Sequence, residues 1–279
     1  MIPLHDDNPT HIVPYVTWTI IGLCVSAFLW QISLDDTAAT KVIYGLGVVP
    51  AVVLGDKVLP PEILALPGVL TMITSMFLHG GWMHLIGNML FLWVFGNNIE
   101  DAMGHIKFII FYGLCGLAAA VGQIASDPAS TVPMIGASGA ISGVLGAYLL
   151  LYPKARVLML IWLGFFVTTF RIPAVIVLGG WIGLQFYSAA ASDGGAGGVA
   201  WWAHIGGFAA GLALIPFFRH PDVPFFGHGS ETHNKKIIEF RMPHSNRAST
   251  RDRTRPPTSN SKAKSPWSKA RKPGPWGRR

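Results

Sequence analysis

Six stretches of this chain are apolar for about 20 residues at a time, the length a helix needs to cross a bilayer core of about 30 Å. They cover residues 12–32, 83–99, 108–126, 136–152, 172–191 and 199–218. Lipid offers no hydrogen bonds to a backbone, so runs of this kind must be helices. The expected fold class is therefore all-α: a polytopic membrane protein with six transmembrane helices. Charged residues are 13% of the chain, roughly half the share in a soluble domain. Pro14 falls at the start of the first run, where a helix tolerates it. The connection at 33–78 carries Asp35, Asp36, Lys41, Asp56, Lys57 and Glu62, yet residues 48–54 are apolar. It reads as a structured loop on or partly in the membrane surface. Residues 157–170 are apolar but short, cut off by Arg171 and Pro173, and read as an interfacial loop. The Gly-rich connection at 192–198 has the composition of a mobile loop, suited to a lid.

Charge divides the chain. Residues 1–218 hold six Lys/Arg against ten Asp/Glu, net −4, and residues 219–279 hold fifteen against four, net +11. The expected organisation is a short N-terminal segment (1–11), a six-helix body (12–218) and a basic tail (219–279). The tail has no helical period and too few apolar residues to fold. Its charge suits anionic lipid, and no nucleic-acid recognition fold accompanies it. One set of loops carries Lys107, Lys154, Arg156, Arg171 and the tail; the other has Lys41 and Lys57 among six acids. The positive-inside rule then puts both termini in the cytoplasm and residues near 138 and 204 toward the outer face. Asp6 and Asp7 stand where a signal peptide would be basic, so the first run is expected to remain as an anchor. Cys24 and Cys115 form no C-x-x-C pair and read as inert buried thiols.

Against this apolar background a few polar side chains stand out, and a polar group at membrane depth points to function. Ser138 lies in Gly136-Ala137-Ser138-Gly139, where the fourth run begins. Helical N–H groups there lack partners, and the helix dipole favours negative charge. Gly136 and Gly139 let the backbone approach a ligand closely. G-x-S-G alone fits a helix N-cap equally well. His204 lies in the sixth run and shares a face with Gly207 and Gly211; Gly139, Gly143 and Gly146 line the fourth. Faces of small residues let helices pack closely in lipid, near enough for His204 to meet Ser138 as base and nucleophile. In the second run His84 and Asn88, four apart, share a face with donors suited to an oxyanion, and His79 lies just before them. A zinc site from His79, His84 and His204 is a rival, although no H-E-x-x-H motif is present.

H-G-G-W-M-H-L-I-G-N-M-L at 79–90, G-A-S-G at 136–139 and A-H-I-G-G-F-A-A-G at 203–211 resemble the rhomboid intramembrane serine proteases. The resemblance covers residues 12–218, with the three motifs in family order on spans two, four and six. It implies a Ser138–His204 dyad without an acid, and an oxyanion site from the Ser138 N–H, Asn88 and His84. It also implies cleavage of membrane-anchored proteins in or near a transmembrane segment, without metal or cofactor. Two departures stand out. Many members have an aromatic residue four positions after the nucleophile, packed on the catalytic His; here it is Ser142, leaving Trp201 or Trp202 to steady the ring. The Trp-Arg pair of many first loops is also missing. A proteolytically silent relative would lose the Ser or the His, and a transporter would show repeated halves; this chain does neither. No Arg-rich transit segment precedes residue 12, so a bacterial plasma membrane is the expected location.

Overall fold

The computed structural model describes residues 2–63, 66–164, 166–191 and 199–227. The expected lid at 192–198 and most of the basic tail lie outside the described residues. After strand β1 (Ile2–Asp6) come α1 (Tyr15–Ile32), α2 (Asp36–Leu46), α3 (Pro50–Val53) and α4 (Gly68–Thr74). A short 3-10 turn, Ser75–Phe77, then leads to α5 (Trp82–Phe91). A π-helical turn, Leu92–Gly96, joins α5 to α6 (Asn97–Met103). Next are α7 (His105–Ser126), α8 (Ser138–Leu151), β2 (Arg156–Leu163), β3 (Phe166–Pro173), α9 (Ala174–Ala191) and α10 (Trp201–Phe218).

Each of the six expected runs is helical. Among the described residues α1, α7, α9 and α10 are long and apolar enough to cross a membrane, and the pair Gly68–Phe77 and Trp82–Met103 passes the same test across an 86° bend. In α1, Thr17, Ile20, Cys24, Phe28 and Gln31 form the buried stripe, while Trp18, Leu23, Leu29 and Trp30 are exposed. Large apolar side chains that face outward are what a lipid solvent requires. α8 differs: its 14 residues reach only about 21 Å at 1.5 Å per residue. Protein surrounds it, since every residue from Gly139 to Tyr148 is buried.

The sequence missed a three-stranded antiparallel sheet of order β1-β2-β3. Residues 157–170, expected as an interfacial loop, form the hairpin of β2 and β3, with Arg156 opposite Pro173 and Leu163 opposite Phe166. Gly164, φ +64°, sits at its turn. The run is too short to span and rich in β-branched and aromatic residues, and a hairpin satisfies its backbone without water. The N-terminal segment adds β1, pairing Ile2 with Leu160 and Asp6 with Val157. The 33–78 connection is structured, as expected, and folds into α2, α3 and α4. It braces the lead into α8: Val48 and Met134 exchange backbone hydrogen bonds, Ala51 N–H donates to Ser130 O, and Gly136 N–H donates to Ser75 O.

Two acids at the end of the second run serve a neighbouring helix. Glu100 is fully buried and accepts from the Val16 and Thr17 amides and the Thr17 hydroxyl. Asp101 accepts from the amides of His11 and Ile12. They cap α1, where Pro14 offers no capping side chain. Beyond α10 the chain turns back, and Phe226 and Gly227 donate to the Leu150 and Leu151 carbonyls at the end of α8.

Asp6 fastens the sheet to the helices. Its Oδ2 accepts from Asn98 Nδ2 at 2.8 Å and from the Tyr148 hydroxyl. Burial pushes the Asp6 carboxyl from its ordinary 3.8 up to about 7. A folded value above the unfolded one means stability is greatest below about pH 4 and falls as pH rises through about 7. Thermal midpoints in detergent should thus decline from pH 4.5 to 8, and Asp6→Asn should flatten that decline. Parallel curves for the two proteins would show that Asp6 ionisation does not burden the fold.

Candidate functional site

The site depends on how closely α8 and α10 approach. A Cβ added at Gly207 would overlap the Gly139 carbonyl, and one at Gly211 the Gly143 carbonyl. Gly146 stands in the same relation to the Phe208 carbonyl, and Gly122 of α7 lies against Trp202 O and Gly206. Backbone meets backbone along this seam, as small-residue faces permit. At its upper end the contact brings Ser138, the first residue of α8, to His204, in the first turn of α10.

His204 Nε2 lies 2.8 Å from Ser138 Oγ. Ala137 holds the N-cap position and Ser138 is the first helical residue, so the N-cap alternative does not describe it. His204 is buried, 8% exposed, and its other ring nitrogen is occupied: Nδ1 lies 2.7 Å from Gln185 Oε1 on α9. Ser142 turns away, its hydroxyl donating to Ser138 O at 2.6 Å. Two tryptophans flank the ring instead. Trp181 of α9 stands 5.6 Å away at 40°, and Trp201 stands 6.3 Å away edge-on. Trp202 is exposed. Trp201 was foreseeable from the sequence; Trp181 and Gln185 were not.

His84 faces the same point from α5. Gly80 N–H donates to His84 Nδ1 at 3.3 Å, so the ring proton belongs on Nε2. That Nε2 points at Gly136, where an added Cβ would stand 2.7 Å from it and 3.7 Å from Ser138 Oγ. Gly136 also has φ +124°, a conformation that favours glycine. Asn88 is buried; one amide hydrogen goes to His84 O at 2.8 Å, and the other remains for a ligand. His79 sits behind this pair, its ring 5.2 Å from that of His84. Gln31 holds the His79 backbone by accepting from its N–H at 3.1 Å and donating to its carbonyl. Among the described residues no three His, Cys, Asp or Glu side chains are grouped to hold a metal ion, so the three histidines do not converge as ligands.

Ser138, His204, His84 and Asn88 all line one cavity of about 810 Å³, walled by Met72, Met76, Met83, Met134, Phe91 and Trp181. Most of its lining is apolar, with these polar groups among it. A chain that enters it would meet a hydroxyl held by an imidazole, and helix N–H groups, an imidazole N–H and an amide N–H line the same cavity.

The Rhomboid domain family model matches residues 67–221, more than half of the 279 residues. The chain belongs to the rhomboid family. Putative rhomboid protease YdcA of Bacillus subtilis is 35% identical over 78 residues, 28% of this chain and 39% of that protein. Rhomboid protease GluP of the same organism is 36% identical over 143 residues, 51% of this chain and 25% of its own length. The human presenilin-associated rhomboid-like protein, mitochondrial, is 34% identical over 134 residues, 45% and 35% of the two chains. This rhomboid thus aligns with between a quarter and two fifths of each of these relatives. Family and helices together make it a multi-pass membrane protein.

The seam makes a stability prediction specific to this rhomboid. Gly207→Ala should lower stability in detergent by about 1–3 kcal/mol, the usual result of overpacking a close contact. Gly180 of α9 faces open space, so Gly180→Ala should leave the melting temperature unchanged or slightly raised. Equal behaviour of the two variants would remove the seam as the contact that positions Ser138.

Proposed function

We propose that this rhomboid is an intramembrane serine endopeptidase that cleaves membrane-anchored proteins in or near a transmembrane segment. The observation that carries it is the 2.8 Å contact between His204 Nε2 and Ser138 Oγ inside a cavity large enough for a peptide and water. His204 takes the hydroxyl proton as Ser138 Oγ attacks the scissile carbonyl. The tetrahedral oxyanion lies against the Ser138 N–H, the free Asn88 amide hydrogen and His84 Nε2–H. His204 then gives its proton to the leaving amine, and the C–N bond breaks. A water molecule repeats the sequence on the acyl-enzyme and frees Ser138. Gly136 and Gly139 keep this wall low, and His79, Gly207 and Gly211 support it.

The charge pattern supports cytoplasmic termini and a site open toward the outer side. The charge of the basic tail suits anionic lipid rather than nucleic acid. The names of the Bacillus relatives support the protease reading; a silent binding protein of the same fold would need neither polar group.

Ser138→Ala, His204→Ala and the double variant should each fold and each lose cleavage to about the same extent, because members of a dyad act as a unit. The assay is purified protein in detergent or liposomes with a quenched membrane-anchored substrate. Appreciable cutting by the Ser138→Ala protein would sink the mechanism.

Asn88→Ala should lower kcat by about 10² to 10³, the usual effect of one oxyanion donor, with KM little changed. If kcat is unaltered in the purified variant, Asn88 has no part in stabilising the transition state.

A further inference from the structure

α9 turns a single narrow stripe inward. Of its eighteen residues Ala174, Leu178 and Gln185 are buried, and half-buried Trp181 lies between the last two on the same face. Gln185 is 3% exposed, a primary amide buried in an otherwise apolar helix. Such a group is costly at membrane depth unless both of its ends are satisfied. Here both are. Gln185 Nε2 donates to the Trp181 carbonyl at 3.2 Å, and Oε1 lies 2.7 Å from His204 Nδ1.

The Trp181 carbonyl decides what this pair of contacts means. A carbonyl can only accept, so the amide nitrogen must face it and the amide oxygen must face the imidazole. An amide oxygen can likewise only accept, so His204 Nδ1 carries the hydrogen. A neutral imidazole has one N–H, which leaves the Nε2 lone pair facing the Ser138 hydroxyl. The other tautomer would set the Nδ1 lone pair against the Gln185 oxygen and aim an N–H at Ser138, where no base would remain.

We propose that Gln185 is the positioning residue of His204: it fixes the imidazole as the Nδ1–H tautomer and orients Nε2 toward Ser138. The proposal rests on the reading of Ser138 and His204 as a dyad. Gln185 does the work that a carboxylate does in a Ser-His-Asp triad, without placing a charge at membrane depth. When His204 takes up the serine proton, Gln185 Oε1 still accepts from Nδ1 and holds the ring through both halves of the reaction. Trp181, one turn earlier on the same helix, limits how far the ring can swing. The closeness of α9 to α10 thereby becomes a condition for having a base at all.

The test uses the full-length protein with ¹⁵N-labelled histidine, in wild type, Gln185→Met, Gln185→Glu and Ser138→Ala. Gln185→Met removes the acceptor at nearly constant volume. It should lower kcat by about tenfold or more, the kinetic weight of a buried hydrogen bond, with KM within about twofold. Its His204 resonances should move from a pure Nδ1–H pattern to a mixture of tautomers. Gln185→Glu, which keeps an acceptor at the same place, should hold the Nδ1–H pattern and recover most of the lost kcat. The proposal is overturned if Gln185→Met keeps either the wild-type kcat or the wild-type tautomer, or if Gln185→Glu is as slow as Gln185→Met. Should Gln185→Met fail to fold, Gln185→Glu alone decides, by its tautomer and kcat against wild type. Ser138→Ala separates the two levels: cleavage by that variant defeats the dyad, whereas an inactive Ser138→Ala beside a fully active Gln185→Met defeats only the role of Gln185.

Discussion

Everything at this site depends on backbone touching backbone between α8 and α10. Side chains at 146, 207 and 211 would run into the facing backbone of the other helix, and side chains at 139 and 143 would strike Ala119 and Cys115 of α7. In lipid there is no hydrophobic drive to press two helices together, so shape and close contact must do it. The glycine seam supplies that contact and has a chemical result. It sets Ser138 and His204 within hydrogen-bond distance although they are 66 residues apart. In the proposed mechanism those glycines therefore matter as much as they do in the fold.

The seam also solves a problem of depth. A peptide bond can be hydrolysed only where water reaches it, yet the substrates proposed here reside in the bilayer. α8 is short and enclosed by protein, and its first residue opens on the cavity. Three of the cavity's polar groups lie at helix starts: Ser138 is the first residue of α8, His204 lies in the first turn of α10 and His84 in the first turn of α5, with Asn88 one turn further along. Helix starts carry free N–H groups and positive potential, which suits an oxyanion. On the far end of α8 lies the sheet, held by Asp6, Asn98 and Tyr148. The chemistry and the sheet anchor thus sit at opposite ends of one buried helix.

Much of this was legible in the sequence. Each of the six apolar runs is helical, four or five of them pass as membrane spans, and polar residues stranded in the runs pointed to Ser138, His204, His84 and Asn88, which line one cavity. What was missed had weak local signals. Gln185 sits in a run whose neighbours are uniformly apolar, and a lone glutamine there has no spacing or motif to mark it. Trp181 reads like any lipid-facing aromatic. The hairpin at 156–173 was taken for loop because a short apolar run does not distinguish strand from helix or loop by periodicity. The β1 strand needs a partner 150 residues away in sequence, which no local pattern shows. Glu100 and Asp101 looked like the polar end of their own helix; their use as caps for α1 is a tertiary fact.

The most direct test of the central claim is covalent capture. A fluorophosphonate reacts with a serine hydroxyl only when a base removes its proton. With wild-type protein in detergent, mass spectrometry of the digested product should place the adduct on Ser138 and on no other serine. The folded His204→Ala protein should label at a rate near background. An adduct on a different serine, or equal labelling of Ser138 when His204 is absent, would contradict the account that the α8–α10 contact creates an activated nucleophile.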